Sequence, residues 1–121
     1  MEDNKKDIQG KEDAQQLKLL KDSLNMLEDI LSYAYEGYVL VDAEAKIVKI
    51  NYEKLLGIRE EDVLGKDVRD VLENTRMHIV VKTGEKELRD VQRLQGHDMI
   101  TTRIPIVKNG KVIGAVGTVL F

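Results

Sequence analysis

The sequence predicts an α+β domain: a five-stranded antiparallel sheet with short helices on one face and an amphipathic helix at its N-terminal end. Three observations predict it. The order of patterns is a helix-period stretch, two strand-like runs, a block of short glycine-punctuated helices, and three more strand-like runs. The last run, KVIGAVGTVLF (111–121), is apolar at both parities, with Val112, Val116 and Leu120 on one side and Ile113, Val119 and Phe121 on the other. Such a strand belongs in the middle of a sheet, covered on both faces. Asn109-Gly110 between two apolar runs is the strongest short hairpin signal in the chain.

Residues 1–13 open on MEDNKKDIQGKE, polar and without period, and read as a frayed tail. From Ala14 to Ala34 leucines recur at spacings of three and four, at Leu17, Leu20, Leu24, Leu27 and Leu31. Leu19, Met26 and Ile30 widen this stripe, which serves either for packing on the domain's own sheet or for pairing with a second copy. Residues 35–121 form the domain proper. Gly37 ends the helical pattern, and YVLVD (38–42) and KIVKI (46–50) read as a hairpin. Asn51 is placed to cap a short helix, YEKLL, that Gly57 ends, and a second short helix around EEDVL stops at Gly65. Asp67 suits the cap of VRDVL, and Asn74 suits the cap of TRMHIVVKT, which Gly84 closes. Residues 86–95 read as a polar, exposed strand and 99–107 as a firmer one, with Pro105 marking an irregular or unpaired position.

Composition narrows the function. Charged residues are 34% and hydrophobic ones 42%, ordinary for a globular protein, and a net charge of −3 provides no basic field for nucleic acid or an anionic membrane. The absence of cysteine removes disulfides, thiolate metal sites and thiol catalysis, and the two histidines, His78 and His97, form no close ligand motif. No long apolar run or secretory signal pattern stands in the sequence, so the expected location is the cytoplasm. Nothing points to an enzyme.

LEDILSYAYEGYVLVDAEAKIVKIN, LLGIREEDVLGKDVRDVL and RIPIVKNGKVIGAVGTVLF, in that order, resemble a PAS domain over residues 27 to 121. NTRMHIVVKTGE together with RIPIVKNGKVIGAVGTVLF is similar to the sensory PAS domains of bacterial sigma-54-dependent transcriptional activators. The family often has glycine in its first turn where this chain has Ala45, which tolerates positive φ poorly, so a different turn geometry is expected. The resemblance implies a small cavity between sheet and short helices, and a homodimer formed through the N-terminal helix. It also implies a C-terminal effector beyond Phe121, an AAA+ ATPase with a DNA-binding domain. The module itself would be non-enzymatic and bind neither nucleic acid nor membrane directly. Two alternatives stand beside this: a PAS sensor of a histidine kinase or cyclic-dinucleotide enzyme, and a ligand-free structural dimerisation module.

Within NTRMHIVVKTGE, Met77, Val80 and Val81 share one helical face, with Arg76 and His78 on its opposite flanks. Arg76 and His78 either face solvent and satisfy backbone carbonyls, or hold a small, partly apolar, anionic ligand at a cavity rim. Asn51 is the further candidate ligand contact. No metal or cofactor is expected: haem through His78 is disfavoured because a lone histidine is weak evidence, and the flavin photochemistry of light-sensing relatives needs a cysteine. Arg103 either pairs with a carboxylate such as Asp90 on the adjacent strand or projects toward the pocket, and the outer-face salt bridge is the favoured reading. Gly114 and Gly117 lie inside a strand, which excludes a phosphate-binding loop. Glu60, Glu61 and Asp62 suit the start of a short helix.

Overall fold

The computed structural model of the protein describes residues 2–26 and 37–120. Helix α1 spans Glu2–Met26, followed by strands β1 (Gly37–Asp42) and β2 (Ile47–Asn51). Short helices α2 (Glu53–Leu56) and α3 (Glu60–Val63), a 3-10 turn (Val68–Asp70) and helix α4 (Met77–Thr83) lead to strands β3 (Glu87–Leu94), β4 (His97–Lys108) and β5 (Lys111–Leu120). The sheet is antiparallel in the order β2-β1-β5-β4-β3, so β5 is central, as its two apolar parities require.

One face of the sheet carries the core. Val39 and Val41, Ala115 and Val119, Met99 and Leu94 meet Met77, Val80 and Val81 of α4 and the chain between β2 and α4. Gly117 lets α4 approach closely, since a Cβ there would sit 2.8 Å from Met77 Sδ. The β4–β5 turn puts Asn109 and Gly110 at φ 52° and 76°, the paired left-handed geometry of a tight hairpin. Pro105 lies beyond the last β3 partner, Glu87 opposite Arg103, so its missing N–H breaks no ladder bond on that side.

The edge strand β2 is closed off. Glu60 Oε2 accepts the Ile50 N–H at 2.9 Å and lies 3.7 Å from Lys49 Nζ, while Ile47 exchanges backbone bonds with Lys66 and Gly65. The acidic start of α3 is therefore structural, as the sequence suggests, and its first carboxylate also guards a sheet edge.

Four local expectations are corrected. The chain is helical from Glu2, not frayed to residue 13: residues 2–13 are rich in Glu, Lys and Asp, contain no proline, and place acids at the favourable helix start. Asn51 ends β2, and the cap position of α2 belongs to Tyr52, with no side-chain cap bond. Asn74 does not cap α4: it adopts φ 56° and donates from Nδ2 to the Arg93 carbonyl, while Thr75 Oγ1 accepts the Met77 N–H. Ala45 keeps the tight first turn at φ 62°, because Asp42 accepts backbone N–H bonds from Glu44, Ala45 and Lys46 and over-determines it. Of the leucine series, Leu17 is half-buried, and a Cβ at Gly114 would lie 3.1 Å from its Cδ2, so it packs on this chain's own sheet. Leu20 is half-buried, while the side chain of Leu24 and residues Leu27 and Leu31 lie outside the described residues.

Candidate functional site

Between α4 and the sheet lies a cavity of about 10 Å³, lined by Tyr52, Leu72, Thr75, Met77, Gln92, Thr101 and Arg103 among others. Period-2 alternation puts Met99, Thr101 and Arg103 on one side of β4, the core side. Arg103 is 2% exposed there. It does pair with Asp90, but from the inner face of the sheet, which corrects the outer-face expectation.

A bulge builds the partner set. Glu87 pairs with Arg103 and Asp90 with Thr101, so one strand spends an extra residue between them. Arg89 absorbs the bend at φ 54°. That extra residue turns both Glu87 and Asp90 toward Arg103, although an odd spacing would normally divide them between faces. Arg103 Nη1 donates to Glu87 at 3.0 Å and to Asp90 at 2.8 Å, and Nη2 donates to Gln92 Oε1 at 3.2 Å. Gln92 Nε2 continues to the Glu73 carbonyl, and Arg76 holds Glu87 through its Nε and Nη2. One network thus joins β3, β4, the start of α4 and the loop before it.

The electrostatics follow from these contacts. Arg76 above all, with Arg103, holds the Glu87 carboxyl below its usual range, and Arg103 does the same for Asp90. Burial pushes the Tyr52 phenol well up despite the pull of Arg103, so this hydroxyl stays neutral.

The predicted site residues separate. Met77, Val80 and Val81 are buried on the core side of α4. Of these only Met77 lines the cavity. Arg76 is exposed and occupied by Glu87. His78 sits by Asp67 and Arg69, its Nδ1 buried without a hydrogen-bond partner, and neither it nor Asn51 lines the cavity. Burial first, then Arg69, lowers its pKa. Sequence reasoning missed Tyr52, Thr75, Gln92 and Thr101. Alternation from Met99 and Leu94 is the signal that places Thr101, Arg103 and Gln92.

The family model for the PAS fold matches residues 25–119. The chain belongs to the PAS family. Among curated proteins it is 30% identical over 95 residues to the sensor protein CitS of Halalkalibacterium halodurans, covering 75% of this chain and 18% of that protein. It is 35% identical over 83 residues to a probable C4-dicarboxylate sensor kinase of Bacillus subtilis, covering 67% and 15%. The chain thus spans less than a fifth of the curated relatives it matches. Among solved structures, the PAS domain of histidine kinase ThkA aligns over 69% of this chain and 96% of its own, with TM-score 0.60 and 18% identity. A sensory box sensor histidine kinase from Vibrio cholerae aligns over 86% and 95%, with TM-score 0.58 and 16% identity. These structures share the fold. The module is a sensory one and not itself catalytic; among the described residues no helix is long and apolar enough to cross a membrane.

Proposed function

We propose that this PAS module relays a signal to an attached sensor-kinase effector, working as a homodimer. The observation that carries the effector reading is its similarity over 95 residues to a sensor protein and over 83 residues to a sensor kinase. It favours a kinase over the sigma-54 activator that two sequence segments suggest. Relay through packing, rather than through a resident ligand, is supported by the cavity, whose volume of about 10 Å³ suits at most one water. The buried guanidinium is already matched by two carboxylates, and Arg76 by one of them.

A second reading keeps a small anionic ligand. Asp90 is 44% exposed and bonds through its side chain to Arg103, so an incoming carboxylate could replace it there. The C4-dicarboxylate named for a relative is the class to try.

The test is autophosphorylation of the full-length parent protein from ATP, with and without millimolar succinate, fumarate or citrate. A phosphohistidine supports the kinase reading; no phosphate uptake, with a GxxxxGK[ST] loop after codon 121, overturns it in favour of the activator. Relay without a ligand predicts no thermal stabilisation of this chain by the acids. Stabilisation that is lost in Arg103→Met and kept or raised in Asp90→Asn, where the competing carboxylate is gone, would establish the anion site instead.

A further inference from the structure

The Arg103 network leaves donors unused beside the small cavity. A guanidinium carries a fork of N–H donors on Nε, Nη1 and Nη2. Both on Nη1 go to Glu87 and Asp90, and one on Nη2 goes to Gln92. The Nε donor and the other on Nη2 remain, as does the second amide N–H of Gln92, whose first goes to the Glu73 carbonyl. Tyr52 lines the same cavity, and only 3% of it is exposed. Its hydroxyl makes no hydrogen bond to any described residue. Arg103 lies close enough to act on this phenol electrostatically, yet no bond joins the two. Buried hydroxyls and guanidinium donors are almost always paired, and a polar pair standing apart across a small space invites a water between them.

We propose that one buried water bridges Tyr52 and Arg103 in this cavity, which makes Tyr52 a positioning residue of the Arg103 network. Size selects the occupant first. A volume of about 10 Å³ is the space one water needs, and no carboxylic acid fits it. Chemistry selects it second. The guanidinium and amide can only donate, whereas the phenol, kept neutral by its burial, can both donate and accept. Water meets both demands, accepting from Arg103 or Gln92 while it donates to Tyr52. An anion would add a third negative group to a guanidinium that already faces Glu87 and Asp90.

The proposal deepens the relay reading and rests on it for its role in signalling. The direct bonds of the network reach β3, β4, the start of α4 and the loop before it, but neither β1 nor β2. Tyr52 stands at the corner between β2 and α2, and its ring packs so closely on Gly37 that a Cβ there would sit 2.6 Å from the ring Cδ1. Gly37 is the first residue of β1. The water therefore joins Arg103 to the opposite half of the sheet, and a shift at the start of β1 reaches the network through the Tyr52 hydroxyl.

The first test is a crystal structure of the wild-type chain at high resolution. A single isolated peak is expected within ~2.6–3.2 Å of both Tyr52 Oη and an Arg103 nitrogen. No peak there, or one that bonds Arg103 without Tyr52, overturns the proposal. The second test is oxygen-17 relaxation dispersion in solution, which counts long-lived internal waters. Tyr52→Phe keeps the ring on Gly37 and removes only the hydroxyl, so a role confined to packing leaves the count unchanged. The count is expected to fall by one in Tyr52→Phe and by one in Arg103→Met; an equal count in either variant and the wild type overturns the proposal. The crystal structure decides alone if a variant fails to fold. Neither measurement involves autophosphorylation or added acid, so the water and the relay reading fail separately.

Discussion

Replacing Arg103 with Ala tests whether the buried network holds the site together. Gln92 is 5% exposed, and its Oε1 would lose the Nη2 donor, which costs about 1–3 kcal/mol for a buried acceptor. The carboxylates suffer less. Glu87 keeps Arg76, and Asp90, 44% exposed, regains water, so the 3–5 kcal/mol typical of breaking a fully buried pair does not apply in full. Loss of the buried aliphatic stem adds about 2 kcal/mol at ~0.8 kcal/mol per methylene. Arg103→Ala should therefore cost about 3–5 kcal/mol. Arg103→Met, which refills the stem but not the donor to Gln92, should cost about 1–3 kcal/mol. Urea unfolding followed by circular dichroism measures both. A second readout is pH. The depressed Glu87 and Asp90 carboxyls contribute stability that is full above about pH 4 and lost as pH falls through their folded values. Removing Arg103 should flatten that acid limb, most of all the part due to Asp90. The reasoning fails if both variants lie within 1 kcal/mol of wild type, or if the acid limb is unchanged.

Three further outcomes follow from the same contacts. His78 is favoured in its neutral form when folded, so its contribution is full above its ordinary pKa near 6.5 and declines as pH drops below it; His78→Gln should flatten the loss of Tm between pH 7 and 5. Val80, 0% exposed against the sheet, should not tolerate Asp, and Val80→Asp should abolish the cooperative unfolding transition because its carboxylate has no partner there. Arg89→Gly should stabilise the domain by about 0.5–1 kcal/mol in urea, since glycine relieves the left-handed bulge position; destabilisation would mean that the Arg89 side chain matters more than its backbone.

Element type and order were legible because each signal was local and periodic. The hairpins, Gly57 and Gly84 as helix ends, and the central place of β5 all follow from turn chemistry and alternation. The caps were less legible, because Asn51 and Asn74 are good capping residues that tertiary pairing put to other uses, a strand end and a bond to the Arg93 carbonyl. The site was hardest. Arg76 and His78 drew attention as charges beside an apolar stripe, whereas the buried cation is Arg103. Its inward position follows from alternation with Met99, but its partners depend on a bulge that no residue type announces, since Arg89 is an unusual choice for positive φ.

That bulge also connects the two faces of the sheet. Along β4, Thr101 and Arg103 face the network while Ile100, Thr102 and Ile104 face outward, so one strand carries both the buried cation and the bare apolar surface. A slide of β4 against β3 large enough to change the Glu87 and Asp90 bonds must also displace Ile100 and Ile104. Interiors this closely packed switch between discrete arrangements rather than yield gradually. On the relay proposed above, a change in which carboxylate Arg103 keeps would pass along β4 to its outward side chains, with no signal molecule held in a cavity of about 10 Å³. The Arg76 bond to Glu87 would carry that change on to the start of α4.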